Sequence, residues 1–139
     1  MSRTILEVDK LSVAFYGNEV VRDVSFHVDR GETLALVGES GSGKSATALS
    51  IMQLLPYRYA SHPRGSIRID GLEMMGASEE TLLNVRGDRV GMVFQEPMTS
   101  LNPLQTIEKQ IGEVLFVHRD MGKREAVGRI EELLDLVGL

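Results

Sequence analysis

Cysteine is absent from the 139 residues, which excludes disulfides and thiolate-held metals and leaves any metal ion to oxygen ligands. Basic charge is in deficit: 15 Lys and Arg face 20 Asp and Glu, a net charge of -5. A nucleic acid or an anionic membrane surface calls for clustered cations that displace counterions, so no nucleic-acid partner is expected. No run of about 18 apolar residues occurs, which excludes a membrane-spanning helix. Met1-Ser2-Arg3-Thr4 is followed by Glu7 and Asp9 too soon for a secretory signal, and a cytoplasmic chain is expected. His27, His62 and His118 are scattered, with no carboxylate at metal-ligand spacing, which argues against a histidine metal centre. No internal repeat or low-complexity tract is present. What remains is 42% hydrophobic and 25% charged, enough to bury the core of one soluble domain and too apolar for a disordered chain.

Ile5–Val8 and Val24–Val28 alternate apolar and polar residues, the period of half-buried strands, with a turn at Tyr16-Gly17-Asn18 between them. Thr33–Val37 is almost wholly apolar and stops at Gly38, which predicts a central strand covered on both faces. From Lys44, Ala48, Ile51, Met52 and Leu55 recur at helical spacing until Pro56. Residues 56–65 carry two prolines and no period, and read as an exposed loop whose Tyr57 and Tyr59 decorate the surface. Gly65–Gly71 predicts a short strand ended by Asp70-Gly71, Ser78 with Glu79 and Glu80 a helix start, and Val90–Phe94 a second buried strand. Pro97, Asn102 and Pro103 keep the next stretch irregular. Two amphipathic helices then follow, striped by Ile107/Ile111/Val114/Leu115 and Val127/Ile130/Leu133/Leu134/Val137, the second closed at Gly138. Two long apolar stripes with few strands to cover them lead us to expect more chain after Leu139.

Gly38-Glu39-Ser40-Gly41-Ser42-Gly43-Lys44-Ser45 has the spacing G-x-x-x-x-G-K-[ST] and lies between the apolar segment and the helix. Glycines allow the backbone to wrap with N–H groups inward, and the helix N-terminus adds partial positive charge, which makes a cradle for phosphate oxygens. Lys44 is expected to reach the β- and γ-phosphates, and Ser45 to offer its hydroxyl to Mg²⁺. Chance gives such a match in a chain of this length at on the order of one percent or less.

The phosphate loop's wording resembles the ATP-binding subunits of ABC transporters, and two further segments are similar in the same order. Leu11-Ser12-Val13-Ala14-Phe15 resembles the segment whose aromatic residue stacks on adenine, which implies that role for Phe15, with Tyr16 the adjacent alternative. Val93-Phe94-Gln95-Glu96-Pro97-Met98-Thr99-Ser100-Leu101-Asn102-Pro103 is similar to the family's Gln loop, in the wording of its oligopeptide and dipeptide importers, a branch that includes nickel and glutathione importers. The resemblance implies an α/β fold: a P-loop NTPase core of the ABC ATPase type with an N-terminal antiparallel β segment and the start of a helical subdomain, an incomplete domain. Residues 1–105 would form the nucleotide-binding core and 106–139 the start of the helical subdomain. Catalytic roles fall to Lys44 and Gln95, and Mg²⁺ ligation to Ser45 and Gln95. Nucleotide contacts fall to Phe15, Gly38, Glu39, Ser40, Gly41, Ser42, Gly43, Lys44, Ser45 and position 46, which is Ala46. Glu96 reads as structural or coupling rather than as the catalytic base.

The family's Leu-Ser-Gly-Gly-Gln signature, Mg²⁺-binding Asp, catalytic Glu and switch His have no counterpart in these residues. The implied function is the N-terminal part of an ATPase that couples ATP binding and hydrolysis to peptide import. Its cofactors would be ATP and Mg²⁺. Its partners would be permease subunits, a second ATP-binding subunit and, indirectly, an extracytoplasmic peptide-binding protein. Its place would be peripheral, at the cytoplasmic face of the inner membrane, and the 139 residues alone would be inactive. A truncated, non-catalytic nucleotide-binding or interaction module is the alternative, and a P-loop kinase or GTPase is disfavoured by the Gln95–Pro103 wording.

Overall fold

A computed structural model describes residues 3–95 and 101–139. They fall into two compact units, Met1–Leu82 and Leu83–Leu139. In the first, the two alternating segments are the middles of longer strands, β1 (Thr4–Phe15) and β2 (Asn18–Asp29), paired antiparallel from Thr4↔Asp29 to Phe15↔Asn18. The two-residue turn is Tyr16-Gly17, with φ of 50° and 82°. Positive φ at both central residues is the type I′ combination whose twist matches that of the flanking strands. Asp70-Gly71, at 49° and 80°, does the same between β4 (Ser66–Ile69) and β5 (Leu72–Glu73). The spatial order is β2-β1-β4-β5, and the short β3 (Ala60–Ser61) also pairs with β1.

The register of the long hairpin shifts at several points, and left-handed residues stand at Lys10 (φ 49°) and Asp23 (φ 47°). Hydroxyls take up the amides displaced there. The Lys10 N–H donates to Ser25 Oγ at 2.8 Å, and the Asp23 N–H to Ser12 Oγ at 3.4 Å. Val8, Leu11, Val13, Ala14, Val21, Ile67, Ile69 and Met74 are all buried. Removing each large side chain among them from water contributes about 1.5–3 kcal/mol.

Helix α1 (Lys44–Ile51) is shorter than its apolar stripe predicts. Gln53 turns to φ 56°, its N–H donates to Ser50 O, and the Leu54 N–H reaches back to Leu49 O. That Schellman closure satisfies the last carbonyls and stops the helix before Pro56 can. Its buried polar residues are both satisfied: Thr47 Oγ1 donates to Gly43 O at 2.8 Å and Ser50 Oγ to Ala46 O at 2.6 Å. Helix α2 (Glu79–Val85) begins where Ser78 predicts, with Ser78 Oγ accepting the Thr81 N–H.

The two expected buried strands, Thr33–Val37 at the centre and Val90–Phe94 after it, are corrected. Thr33–Val37 has no regular structure and is exposed throughout, with Val37 at 86%. Beyond a bridge from Val90 to Arg86, Val90–Phe94 is likewise irregular, with Val93 at 94%. A strand apolar on both faces is stable only with ladder neighbours and a layer on each side, and the described residues supply neither.

In the second unit, α3 (Ile107–His118) and α4 (Lys123–Leu136) pack through Leu115, Ala126 and Ile130, bordered by Ile111, Met121 and Leu134. Thr106 caps α3, its Oγ1 accepting the Lys109 N–H at 3.1 Å. Gly138, at φ 85°, closes α4 as the sequence predicts. Of the predicted stripes, Ile107, Val114 and Val137 remain exposed and Ala126 rather than Val127 is buried.

Candidate functional site

The phosphate-loop segment leads directly into α1 in the first unit. Gly43, the residue before the helix, has φ 94°, and Gly41 has φ 82°. A Cβ at Gly43 would lie 2.8 Å from Val21 Cγ2 and 3.2 Å from Val20 O, so both the conformation and the closeness of β2 require glycine. At Gly38 a Cβ would lie 2.6 Å from Ser42 Oγ, since the loop folds back on itself with the Ser42 N–H donating to Glu39 O. The Gly43 carbonyl accepts both the Thr47 N–H and the Thr47 hydroxyl.

Lys44 does not extend into solvent. Its Nζ donates to Gly38 O and, at 3.0 Å, to Glu39 O, which places the ammonium across the mouth of its own loop. Ser45 is exposed on the first turn of α1, Ala46 can offer only its backbone N–H, and Glu39, Ser40 and Ser42 are exposed around the turn. Phosphate-loop glycines, lysine and helix start are therefore together, on one unit.

Gln95 is exposed and belongs to the second unit. Glu96, with the rest of 96–100, lies outside the described residues. The end of the same loop is fastened to α3: Gln110 Nε2 donates to Asn102 O at 2.9 Å, the Asn102 N–H donates to Gln110 Oε1, and Asn102 Oδ1 accepts the Leu104 N–H. Among the described residues no group of three or more His, Asp or Glu could hold a metal ion. An oxygen-seeking ion that keeps its waters and binds through phosphates, as Mg²⁺ does, fits a loop offering one hydroxyl at Ser45.

The adenine-stacking candidates lie at the tip of the β1–β2 hairpin. Phe15 is half-buried, and Tyr16 is 78% exposed. Sequence reasoning missed what stands beside them. Tyr59, expected to decorate the surface, stacks on Tyr16 with ring centroids 4.9 Å apart and planes 10° from parallel, and meets Phe15 at 6.0 Å. Its carbonyl accepts the Tyr16 N–H at 2.9 Å. The separation of more than 40 residues leaves no periodic signal for this contact.

Nor is the rest of 56–65 a loose loop. Arg64 forms a bidentate pair with Glu19 and a further bond to Asp23, which hold its guanidinium pKa above the usual value. His62 Nδ1 lies 3.1 Å from Ser12 O, and Nε2 2.7 Å from the Tyr57 hydroxyl. A carbonyl only accepts, so Nδ1 carries the proton and Nε2 of the neutral ring accepts from Tyr57. Burial pushes the His62 pKa down, against the opposing bond to Ser12. Glu73 is held below the usual carboxylate range: burial alone would raise it, but bonds from Ser66, Ile67 and Met75 and the charge of Arg68 outweigh that.

Known proteins resemble this chain in sequence and in fold. Residues 21–139 match the family model described as ABC transporter. The chain is 51% identical to the oligopeptide transport ATP-binding protein OppD of Bacillus subtilis, over 97% of this chain and 39% of OppD. It is 52% identical to the uncharacterized ABC transporter ATP-binding protein YejF of Escherichia coli, over all of this chain and 27% of that protein. It is 53% identical to the peptidoglycan transport ATP-binding protein YejF of Agrobacterium fabrum, over 99% and 26%. The chain thus spans well under half the length of these relatives. Among solved structures, the dimeric bacterial ABC transporter cassette MJ0796 superposes with a TM-score of 0.79 at 25% identity, over 97% of this chain and 58% of the cassette. A post-hydrolysis state of that cassette, bound to ADP and Pi, matches equally well at 26% identity. The expected ABC ATPase fold is borne out, and the chain belongs to the ABC transporter family.

Proposed function

We propose that this chain is the nucleotide-binding part of an ATP-binding subunit that drives peptide import. The observation that carries the reading is the phosphate loop: left-handed Gly43 wedged against β2 at the start of α1, with Lys44 folded over the turn. Inward N–H groups and the helix N-terminus would hold the phosphates of ATP, and Lys44 would meet the β- and γ-phosphates. Ser45 would offer its hydroxyl to Mg²⁺, which offsets the charge that develops during phosphoryl transfer. Peptide as cargo follows from the likeness to oligopeptide transport proteins such as OppD. Membrane permease subunits, a second ATP-binding subunit, and a peripheral position on the cytoplasmic side of the membrane belong to the same reading. No helix among the described residues is long and apolar enough to cross a membrane.

The bonds between Asn102 and Gln110 support a coupling role, because a displacement of Asn102 would pass to α3 through two hydrogen bonds. The 139 residues alone would bind nucleotide without turning it over. In the complete subunit, Lys44→Ala is expected to lower Mg-ATP turnover by roughly a hundredfold or more, the scale of losing one preorganised charge at the transferring group. Turnover equal to that of the unmodified subunit would overturn the reading.

A further inference from the structure

Tyr16 stands in a place that an aromatic residue ordinarily avoids. The first central position of a type I′ turn favours Asn, Asp or Gly, and a bulky side chain at φ 50° is an outlier. Strain of this kind persists where the surroundings over-determine it, and it points toward a use. What holds Tyr16 is Tyr59, through the parallel ring contact and the backbone bond from the Tyr16 N–H to the Tyr59 carbonyl. Tyr59 is itself fixed: its N–H donates to Pro56 O, and the next two residues pair with β1 at Phe15 and Ala14. One face of the Tyr16 ring is covered by Tyr59, and with the residue 78% exposed the other is open.

The phosphate loop touches the same hairpin. Gly43 abuts Val20 and Val21, three residues along β2 from the turn, which is roughly 10 Å at the rise of an extended strand. A nucleotide whose phosphates sit in the loop has its base within reach of this aromatic tip.

We propose that Tyr59 is a base-positioning residue: it fixes Tyr16 so that the open ring face receives the base of the bound nucleotide, giving a continuous stack of base, Tyr16 and Tyr59. This rests on the nucleotide-binding reading above and deepens it. Phe15, half-buried and tilted 44° to Tyr59, does not continue that parallel stack.

The test compares Mg-ATP with Mg-tripolyphosphate, which has phosphates but no base, by calorimetric titration of the complete subunit. Tyr59→Ala is expected to weaken ATP binding roughly three- to tenfold, the scale of one aromatic stacking contact, and to leave tripolyphosphate unchanged. Tyr59→Phe keeps the ring and is expected to bind ATP within about twofold of the unmodified protein. Unchanged ATP affinity in Tyr59→Ala would overturn the proposal, as would equal weakening of both ligands or a Tyr59→Phe variant as weak as Tyr59→Ala. Lys44→Ala keeps the two readings apart. If it fails to weaken tripolyphosphate, the phosphate-loop reading falls and this inference with it; if it weakens both ligands while Tyr59→Ala weakens neither, only the inference falls.

Discussion

The β1–β2 hairpin and the segment Thr33–Val37 that follows it are both rich in Val, Leu and Ala, yet one is the core of the first unit and the other lies in solvent. The difference lies in where each finds its hydrogen bonds. Antiparallel strands joined by Tyr16-Gly17 meet their partners two residues away, and β4 completes β1 on the other side through Leu6↔Ile69 to Asp9↔Ser66. A strand apolar on both faces belongs to a sheet whose neighbours arrive by long crossovers, and its apolar side chains stabilise nothing until those neighbours are beside it. Apolar content therefore measures a need for burial, while topology decides whether the need is met.

The sharpest way to break that contrast is to cut into the hairpin. Leu11 is completely buried, and Leu11→Ala is expected to cost about 2–5 kcal/mol, read as a lower denaturant midpoint. A loss below about 1 kcal/mol would show that the hairpin is not the core it is taken for.

A smaller effect should come from the strap that holds residues 56–65 to β1. His62 is neutral in the fold, with its pKa lowered from 6.5 by burial. Its contribution is present above the unfolded value and is lost as pH falls below about 6.5 toward the lower folded pKa, because the unfolded chain takes up the proton first. Unfolding midpoints from pH 7.5 downward should therefore decline across this window, and His62→Asn should remove that part of the decline. A variant with the same pH profile as the parent would count against a buried neutral His62.

The smallest effect is expected from the exposed segment. Val93→Ser should change stability by less than about 0.5 kcal/mol, because its side chain already faces water. A loss as large as that of Leu11→Ala would mean that the two regions are packed alike.

The same contrast explains what was legible in the sequence. Alternation placed β1, β2 and β4, and helical spacing placed α3 and α4, since local periodicity reports a face that is buried locally. The phosphate loop was legible because its residue types and spacing are fixed by backbone chemistry: Gly43 must be left-handed and must leave room for Val21. The early end of α1 was not, since it turns on Gln53 adopting a left-handed conformation that glycine or asparagine would have advertised. Nor were Tyr59 beneath Tyr16 and Arg64 across Glu19 and Asp23, contacts created when distant segments meet.

Two carbonyls take two of the three N–H donors of the Lys44 ammonium and so aim it across the turn. An anion can accept from the third N–H while the bonds to Gly38 O and Glu39 O stay in place. A carbonyl offers a dipole and a phosphate offers full charge, so the pull on that ammonium grows with the charge of the ligand. The loop thus sets its own charge in place: the lysine that would hold the phosphates is oriented beforehand by the backbone it serves.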